Sequence, residues 1–316
     1  MNQTTKPSCF KSIQMLILGA CMMVSQADAA SYLMITDLGS SAEMIRRGNV
    51  EGFSHGSNAI FENPAGLKHV NTISTSIFST QIMKEVAYKN ISIAYATNIG
   101  TFAVGYMDAG VDGIPITTEH DNGTIVATGQ DFSYKNRVGK LAYQASVSDQ
   151  LHLGVSAVGY MNEIYTYTGT GYSLDAGAIY EFSNLQASLF FRNLIPTSVK
   201  YSDSADPTYS ASESLPLHVV MALSYSISDV DIMAQYKYDG VNTLMSAGLD
   251  FTPGLLWGIL DLSAGYREFS ALDKVKHTTT YGVGLNLFGL SLDYAYEKSD
   301  HFEYDAYNFA SIGIDF

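Results

Sequence analysis

Beyond residue 29 this sequence contains no cysteine. Its two cysteines, Cys9 and Cys21, both lie near the N-terminus. A chain that loses this segment has no thiol for a disulfide, for thiolate metal ligation or for nucleophilic catalysis. The absence is compatible with an oxidising compartment.

The N-terminal stretch is typical of a secretory signal peptide. Two lysines precede an apolar run from Ile13 to Val24, and small residues follow in the A-x-A arrangement at Ala27 and Ala29. We therefore predict that residues 1–29 are removed. The "LGAC" that ends at Cys21 resembles a bacterial lipobox, but the apolar run continues past this cysteine, which favours ordinary signal cleavage.

Basic residues are scarce. The chain has 17 lysines and arginines against 31 acidic residues, a net charge of −14, and loss of two lysines and one aspartate with the leader changes this to −15. Because phosphate binding needs a basic surface, nucleic acid is excluded as a partner. No linker-like break in composition divides the chain, so we expect one domain after the leader.

Long hydrophobic runs are also missing after the leader. No run approaches the roughly 18 to 20 apolar residues of a membrane helix, so any membrane span must consist of strands. From Thr72 the sequence alternates with period two. In "GLSLDYAYE" the apolar face carries Leu290, Leu292, Tyr294 and Tyr296. A soluble β-sandwich would alternate in the same way, so the connections must decide between the two folds.

The connections favour a transmembrane antiparallel β-barrel of about 14 strands. Tight turns at Asn98 to Gly100, Asp149-Gln150, Ser183-Asn184, Ser228-Asp229 and Phe288-Gly289 alternate with longer loops, among them 110–130 and 195–214. The segment near 131–147 is the weakest strand, because its alternation breaks around Tyr134 to Lys140. The strands are expected near 72–82, 88–97, 101–109, 131–147, 151–163, 170–182, 185–193, 215–226, 229–238, 243–251, 258–268, 278–287, 289–298 and 307–316.

The C-terminal residues predict that the barrel is inserted into the outer membrane of a Gram-negative bacterium. Phe316 ends an alternating strand whose apolar face includes Ile312 and Ile314, and a terminal aromatic residue is typical of barrels inserted into the outer membrane of Gram-negative bacteria. We predict that these residues form an assembly signal. The expected partners are outer-membrane lipid and lipopolysaccharide, together with the barrel assembly machinery.

Catalytic and cofactor motifs are absent. The sequence after the leader has no G-x-S-x-G, H-E-x-x-H or P-loop, and its histidines lack metal-ligand spacing. We expect no enzyme activity, no cofactor and no metal. Ser156 and His152 share one polar strand face, but a solvated lumen histidine is the favoured interpretation of His152. Loop acids offer calcium ligands at no defined spacing, and solvation is the competing interpretation: Asp108, Asp112, Glu119, Asp121, Asp203, Asp206 and Glu213.

The stretch "RRGNVEGFSHGSNAIFENPAGL", followed by a Tyr- and Gly-rich barrel with "RNLIP", "SAGYRE" and "FGLSLDYAYE", resembles the PorV/PorQ group. This group lies within the FadL-like (fatty-acid-transporter-like) outer-membrane barrels. The resemblance implies that residues 30–70 fold into the lumen as a plug, or hatch, and that residues 71–316 form the barrel. It places the hatch turn at Asn63, Pro64, Ala65 and Gly66. A barrel of this strand number leaves a wide lumen, which gives such a segment room.

Charged residues on the polar strand faces are the candidate lumen residues. They either line a pathway or pair with the plug: Asp175, Glu181, Arg192, Asp231, Lys237, Asp261, Arg267 and Asp293.

Two functions remain open. The first is passive transport of small hydrophobic molecules through a plugged barrel, as the FadL-like resemblance implies. The second is a PorV-like barrel that binds partner proteins in secretion or surface attachment, as in type IX secretion. The ligand is accordingly a hydrophobic molecule or a secreted protein.

Overall fold

A computed structural model describes residues 35–82, 85–120, 123–271, 274–298 and 306–316. The predicted signal peptide, residues 1–29, lies outside these ranges. Within them no helix is long and apolar enough to cross a membrane.

One antiparallel sheet closes into a barrel, as predicted. Fourteen strands form the ring, because β5 pairs with β6 and β1 pairs with β16, while β7 pairs directly with β10. The two remaining strands, β8 and β9, lie between β7 and β10 in the sequence. They form a hairpin outside the ring, in which β8 pairs with the start of β6. The strands are β1 Ile73–Ile82, β2 Val86–Thr97, β3 Gly100–Glu119, β4 Ile125–Ser146, β5 Leu151–Ile164, β6 Tyr167–Phe182, β7 Leu185–Arg192, β8 Thr197–Asp203, β9 Ser210–Leu215, β10 His218–Ile227, β11 Val230–Tyr238, β12 Thr243–Phe251, β13 Leu260–Ala271, β14 Lys274–Leu287, β15 Leu290–Lys298 and β16 Ala306–Asp315.

The alternation in the sequence matches the two faces of the wall. In β5, Leu153 and Val155 point outward and are 42% and 54% exposed, whereas His152 and Ser156 face the lumen and are buried. A continuous apolar outer face with a polar inner face is the arrangement of barrels in lipid.

The weakly predicted fourth strand is continuous in the structure. Its alternation fails because charges occupy both faces. Lys140 points inward and is buried, and Arg137 points outward near the end with the long loops. There Arg137 binds Asp108 of β3 at 3.2 Å and Glu163 of β5 at 2.9 Å, so its charge is paired across three strands.

Two predicted loops are strands instead. Residues 110–119 and 125–130 extend β3 and β4 as paired strands that continue past the last partner residues on β2 and β5. Pro115 is tolerated because it lies beside a shift in the β3–β4 register, where the ladder is already irregular. Residues 195–214 form most of the β8–β9 hairpin, whose serines and prolines concealed its alternation.

The N-terminal segment has little regular structure. It comprises the short helix α1, Ala42–Arg46, and three 3₁₀ turns at Ile35–Leu38, Gly56–Phe61 and Pro64–His69. Ser41 caps α1, since its hydroxyl accepts a hydrogen bond from the Met44 N–H at 3.1 Å. The segment then passes directly into β1.

The barrel closes where its first strand, β1, pairs with its last strand, β16. The Ile73 N–H donates to the Phe316 carbonyl at 3.2 Å, and the Phe316 N–H donates to the Ile73 carbonyl at 2.8 Å. The Phe316 side chain is 74% exposed. Its backbone therefore completes the seam, while its ring is free to contact lipid or an assembly factor.

We predict that deleting Phe316 lowers the folded, membrane-inserted fraction more than Phe316→Ala does, because only the deletion removes both seam hydrogen bonds. Heat-modifiable migration of the protein from membrane fractions measures the folded fraction. Phe316→Tyr is the control that keeps both backbone and ring. Equal assembly of the deletion and the Tyr variant would show that Phe316 has no part in assembly.

Candidate functional site

The N-terminal segment lies inside the barrel. From Gly39 to Val70 every residue is buried except His55, which is exposed, and Lys68 and His69, which are half-buried. A segment that would be a surface loop elsewhere is thus enclosed by the wall. We call residues 39–70 the plug.

The residues predicted for the hatch turn form a 3₁₀ turn fastened to the wall. The Asn63 side chain accepts a hydrogen bond from the Ala65 N–H at 3.0 Å, and the Gly66 N–H donates to the Asn63 carbonyl at 2.8 Å. Pro64 occupies the first position of the turn, where no N–H is needed. Its fixed backbone angle thus starts the turn.

The amide group of Asn63 also joins the plug to two strands. Its Nδ2 donates to the Ala178 carbonyl of β6 at 3.2 Å, and to the Ser188 hydroxyl and the Leu189 carbonyl of β7 at 2.9 and 3.2 Å. An amide side chain can accept from the turn with its oxygen while its two N–H groups donate to several wall groups. This geometry explains why the turn begins with asparagine.

Wall glycines provide the space for this turn. A Cβ added at Gly177 would lie 1.9 Å from the Asn63 Oδ1, and one added at Gly154 would lie 2.3 Å from the Ala65 nitrogen. At Gly105 a Cβ would lie 2.7 Å from the Phe61 ring. Each glycine lets the plug approach the strand backbone closely, so the inner wall has a shape that matches the plug.

Buried ion pairs hold the other side of the plug. Arg46, at the end of α1, binds Asp250 at 2.7 Å, Asp261 at 3.4 Å and Asp293 at 3.2 Å, on β12, β13 and β15. Its guanidinium also contacts the Ser263 hydroxyl. Because Arg46 is 1% exposed, its charge requires these carboxylates.

Arg47 extends this network. It binds Asp250 at 2.5 Å and Glu43, one turn earlier in the plug, at 2.9 Å. Sequence reasoning missed both arginines as site residues. The adjacent pair "RR" in a segment expected to lie in a polar lumen was the available signal.

A second ion-pair network holds the middle of the plug and the 3₁₀ turn that precedes the plug. Arg192 of β7 binds Asp37 at 3.1 Å and Glu51 at 2.9 Å, and Lys237 of β11 binds the same two carboxylates at 2.6 and 3.1 Å. Two predicted lumen cations thus meet two acids of the N-terminal segment. The network joins residues 37 and 51 to strands that are distant in sequence.

The remaining predicted lumen residues have different partners. Glu181 pairs with Lys68 of the plug. Asp175 pairs with the wall residue Lys140 at 2.7 Å. Arg267 of β13 pairs with Glu297 of β15 at 2.8 Å, so both partners again belong to the wall. Asp231 accepts a hydrogen bond from Ser226 and lines a cavity. The structure therefore places five of the eight, Glu181, Arg192, Lys237, Asp261 and Asp293, on plug or N-terminal partners.

Glu62, directly before the hatch turn, is fully buried. Its carboxylate accepts hydrogen bonds from the Ser40 hydroxyl at 3.1 Å and the Gly52 N–H at 3.0 Å, so it ties three parts of the plug together. Burial raises the pKa of this carboxyl to about 7. Protonated and ionised forms are therefore both accessible near neutral pH.

Buried apolar side chains of the wall and the plug form one cluster inside the lumen. Its plug members are Ala42, Ile45, Ala59, Ile60, Phe61, Leu67 and Val70. The β8–β9 hairpin covers the cluster with Val199 and Leu215, which are 0% and 4% exposed. The other wall members are Phe78, Tyr88, Ala94, Ala103, Met107, Ala109, Val138, Ala142, Val158, Tyr160, Ala295 and Phe309.

The lumen is polar beside Arg46 and Arg47. A cavity of about 370 Å³ lies where the short turns are and is lined by Arg46, Asp250, Asp231, Ser76 and Asp315, among others. Its lining is rich in carboxylates. The plug thus contributes residues both to a packed apolar cluster and to the lining of a polar cavity.

The described residues do not show the geometry needed for a Ser156–His152 catalytic pair or for a metal site. Ser156 donates to Asp175 at 3.4 Å while His152 contacts Ser146 at 2.8 Å, so this serine and histidine do not form a pair. Among the loop acids, Asp108 binds Arg137 and Asp206 accepts from Thr208. In the part of the chain that the structure describes, no group of three or more His, Cys, Asp or Glu residues is arranged to hold a metal ion.

Two structures of one protein share the fold. The toluene transporter TodX of Pseudomonas putida aligns over 87% of this chain and 96% of its own, with a TM-score of 0.60 and 12% identity. The deltaS2S3 mutant of TodX, described as a monoaromatic hydrocarbon channel, covers 87% of this chain and 97% of its own, with a TM-score of 0.56 and 13% identity. No protein-family model and no curated protein matches the sequence.

We predict that Gly177→Ala displaces the hatch turn, because the new methyl group would occupy the position of the Asn63 side-chain oxygen. Overpacking of this kind costs about 1 to 3 kcal/mol. The loss is measured as a lower free energy of unfolding in urea and as faster protease cleavage of the plug.

Gly139→Ala and Gly159→Ala are matched controls, since a Cβ at either position meets no atom within 4 Å. Both are expected to stay within about 0.5 kcal/mol of the parent protein. If Gly177→Ala behaves like these controls, the close approach of Asn63 to β6 is not needed for the plug.

Proposed function

We propose that this protein is an outer-membrane channel of a Gram-negative bacterium for passive transport of small hydrophobic molecules. The observation that carries the proposal is the apolar cluster inside the lumen, which continues from the wall onto the plug. A pore for water-soluble molecules has a polar, hydrated interior. An apolar interior instead favours a solute that leaves water readily.

The outer surface supports the membrane location. Apolar side chains of every ring strand face outward; Ile91, Val104, Leu141, Leu223 and Leu249, for example, are each about half exposed or more. In water such a surface would cause aggregation. Lipid is therefore its natural surrounding, and outer-membrane lipid and lipopolysaccharide are the partners we propose for it.

The FadL-like resemblance and the TodX fold support the same proposal. TodX is described as a toluene transporter, and the sequence resemblance independently implied passage of hydrophobic molecules. No comparison supports the PorV-like secretion role, and the PorV/PorQ assignment remains a prediction from the N-terminal motif. A monoaromatic hydrocarbon is the probe we choose for the test.

We expect cells that carry this protein in the outer membrane to take up radiolabelled toluene several-fold faster than cells with an empty vector. Uptake of a small sugar should not rise, because the polar solute would have to cross the apolar cluster. Equal toluene uptake in both strains would contradict transport of this class of solute. Recovery of the protein from the soluble periplasmic fraction would contradict the membrane location.

The β8–β9 hairpin is the expected gate, since Val199 and Leu215 close the apolar cluster from above. Tyr167 of β6 lies directly opposite Asp203 of β8, in a pair without mutual backbone hydrogen bonds, where side chains approach closely. We predict that the double variant Tyr167→Cys, Asp203→Cys forms a disulfide that holds the hairpin shut and lowers toluene uptake to the vector level.

Reduction with dithiothreitol should restore uptake, and each single cysteine variant should transport like the parent protein. The chain after the leader has no other cysteine to interfere. Full uptake with the disulfide completely formed would show that solute does not enter past this hairpin.

A further inference from the structure

The connection between β12 and β13 differs from the other short turns. It runs from Thr252 to Ile259, whereas the β6–β7, β10–β11 and β14–β15 connections at the same end have two residues each. It contains a 3₁₀ turn, Gly254–Leu256, and Trp257 follows in the left-handed region with φ 51°. The extra length forms a tip beyond the strand ends.

This tip is ordered by its own backbone and by a neighbouring turn. The Gly254 N–H donates to the Asp229 carboxylate at 3.0 Å, and the Thr252 N–H donates to the Asp229 carbonyl at 2.9 Å. Inside the tip, the Trp257 N–H donates to the Gly254 carbonyl at 3.1 Å. The tip therefore presents its side chains in a fixed geometry.

Its most exposed side chains are apolar. Leu255 is 89% exposed, Trp257 is 88% exposed, and Phe288 on the β14–β15 turn is fully exposed. The sequence "TPGLLWGI", residues 252–259, carries no charge in a chain whose net charge is −14. By contrast, the β6–β7 and β10–β11 turns consist of Ser183-Asn184 and Ser228-Asp229.

The tip is continuous with the outer apolar face of the wall. Phe251 precedes it on β12 and Leu262 follows it on β13, and both point outward with 42% and 46% exposure. Thr252 and Gly258 line the polar cavity, whereas Leu255 and Trp257 do not. Leu255 and Trp257 are therefore exposed outside the cavity, on a connection that joins two outward apolar residues of the wall.

We propose that the β12–β13 tip is an interfacial anchor that inserts Leu255 and Trp257 into the lipid leaflet at the short-turn end of the barrel. The partner is a phospholipid surface. Tryptophan suits this position because its ring is apolar while its indole N–H can bind lipid headgroups or water. The inference rests on the proposed membrane location, and it adds a contact that fixes the barrel's depth on one side.

The anchor can be tested directly, because Trp257 is the only tryptophan in the chain. The full protein is placed in phosphatidylcholine nanodiscs whose lipids carry bromine either near the headgroup or near the end of the acyl chain. We expect blue-shifted emission that is quenched several-fold more strongly by bromine near the headgroup. Emission typical of water with no quenching by either lipid would overturn the anchor and leave the tip free for a protein in the aqueous space.

A second protein separates failure of the anchor from failure of the membrane location. The variant Trp257→Phe, Leu141→Trp places the only tryptophan on the outer face of β4, where Leu141 is 62% exposed. Its fluorescence should be quenched most by bromine deep in the acyl chain. If this tryptophan is unquenched too, the barrel does not span the bilayer and the proposed function fails together with the anchor.

A charge at the tip gives an independent measure. Leu255→Asp should move the Trp257 emission toward the value in water and reduce quenching, because a carboxylate is costly to insert beside the ring. Ser183→Asp, on a polar turn at the same end, is the matched control and should change neither. Identical emission of Leu255→Asp and the parent protein would show that Leu255 does not enter lipid.

Discussion

A lumen too wide for wall side chains to fill is the constraint on which the rest of this structure depends. Fourteen strands enclose more space than their inward residues occupy, so the plug must fill it. The plug is rich in irregular backbone, and buried polar groups need partners. Its shape and its charges are therefore matched to the wall: glycines where backbones meet, and carboxylates where Arg46 and Arg47 arrive.

Two kinds of contact hold the plug against the wall. On the β5–β7 side the fit is steric, with Asn63 bonded to two strands at a point where Gly177 leaves room. On the β12–β15 side it is electrostatic, with Arg46 inside a set of three aspartates. Loss of one partner from a buried ion pair costs about 3 to 5 kcal/mol, so the two sides together disfavour expulsion of the whole plug. Local rearrangement is the more accessible way to open a path.

The sequence was sufficient for the barrel because period-two alternation persists in most strands and needs no knowledge of partners. It was insufficient where charge or loop-like composition interrupts that period. Arg137 and Lys140 obscured β4, and the prolines of residues 195–214 concealed β8 and β9. The candidate lumen cations Arg192 and Lys237 could be placed on inward faces, but their partners Asp37 and Glu51 could not, since pairing across the barrel leaves no spacing signal. Inward glycines such as Gly154 and Gly177 were the unused clue to the position of the plug.

The distribution of polar and apolar residues in the lumen bears on the direction of solute movement under the proposed function. Under the proposed function, a hydrophobic solute gains by leaving water for the apolar cluster, but the polar cavity beside Arg46 offers it nothing comparable. Charges such as Asp250 and Arg46 keep that cavity hydrated, so the solute would meet water again on leaving the cluster. Under the same proposal, the solute binds most strongly at the apolar cluster, and its release toward the short-turn end is the costly step. For passive flow inward, the proposal also requires that the solute be diluted or consumed below the barrel, because an apolar surface can bind a solute but supplies no driving force.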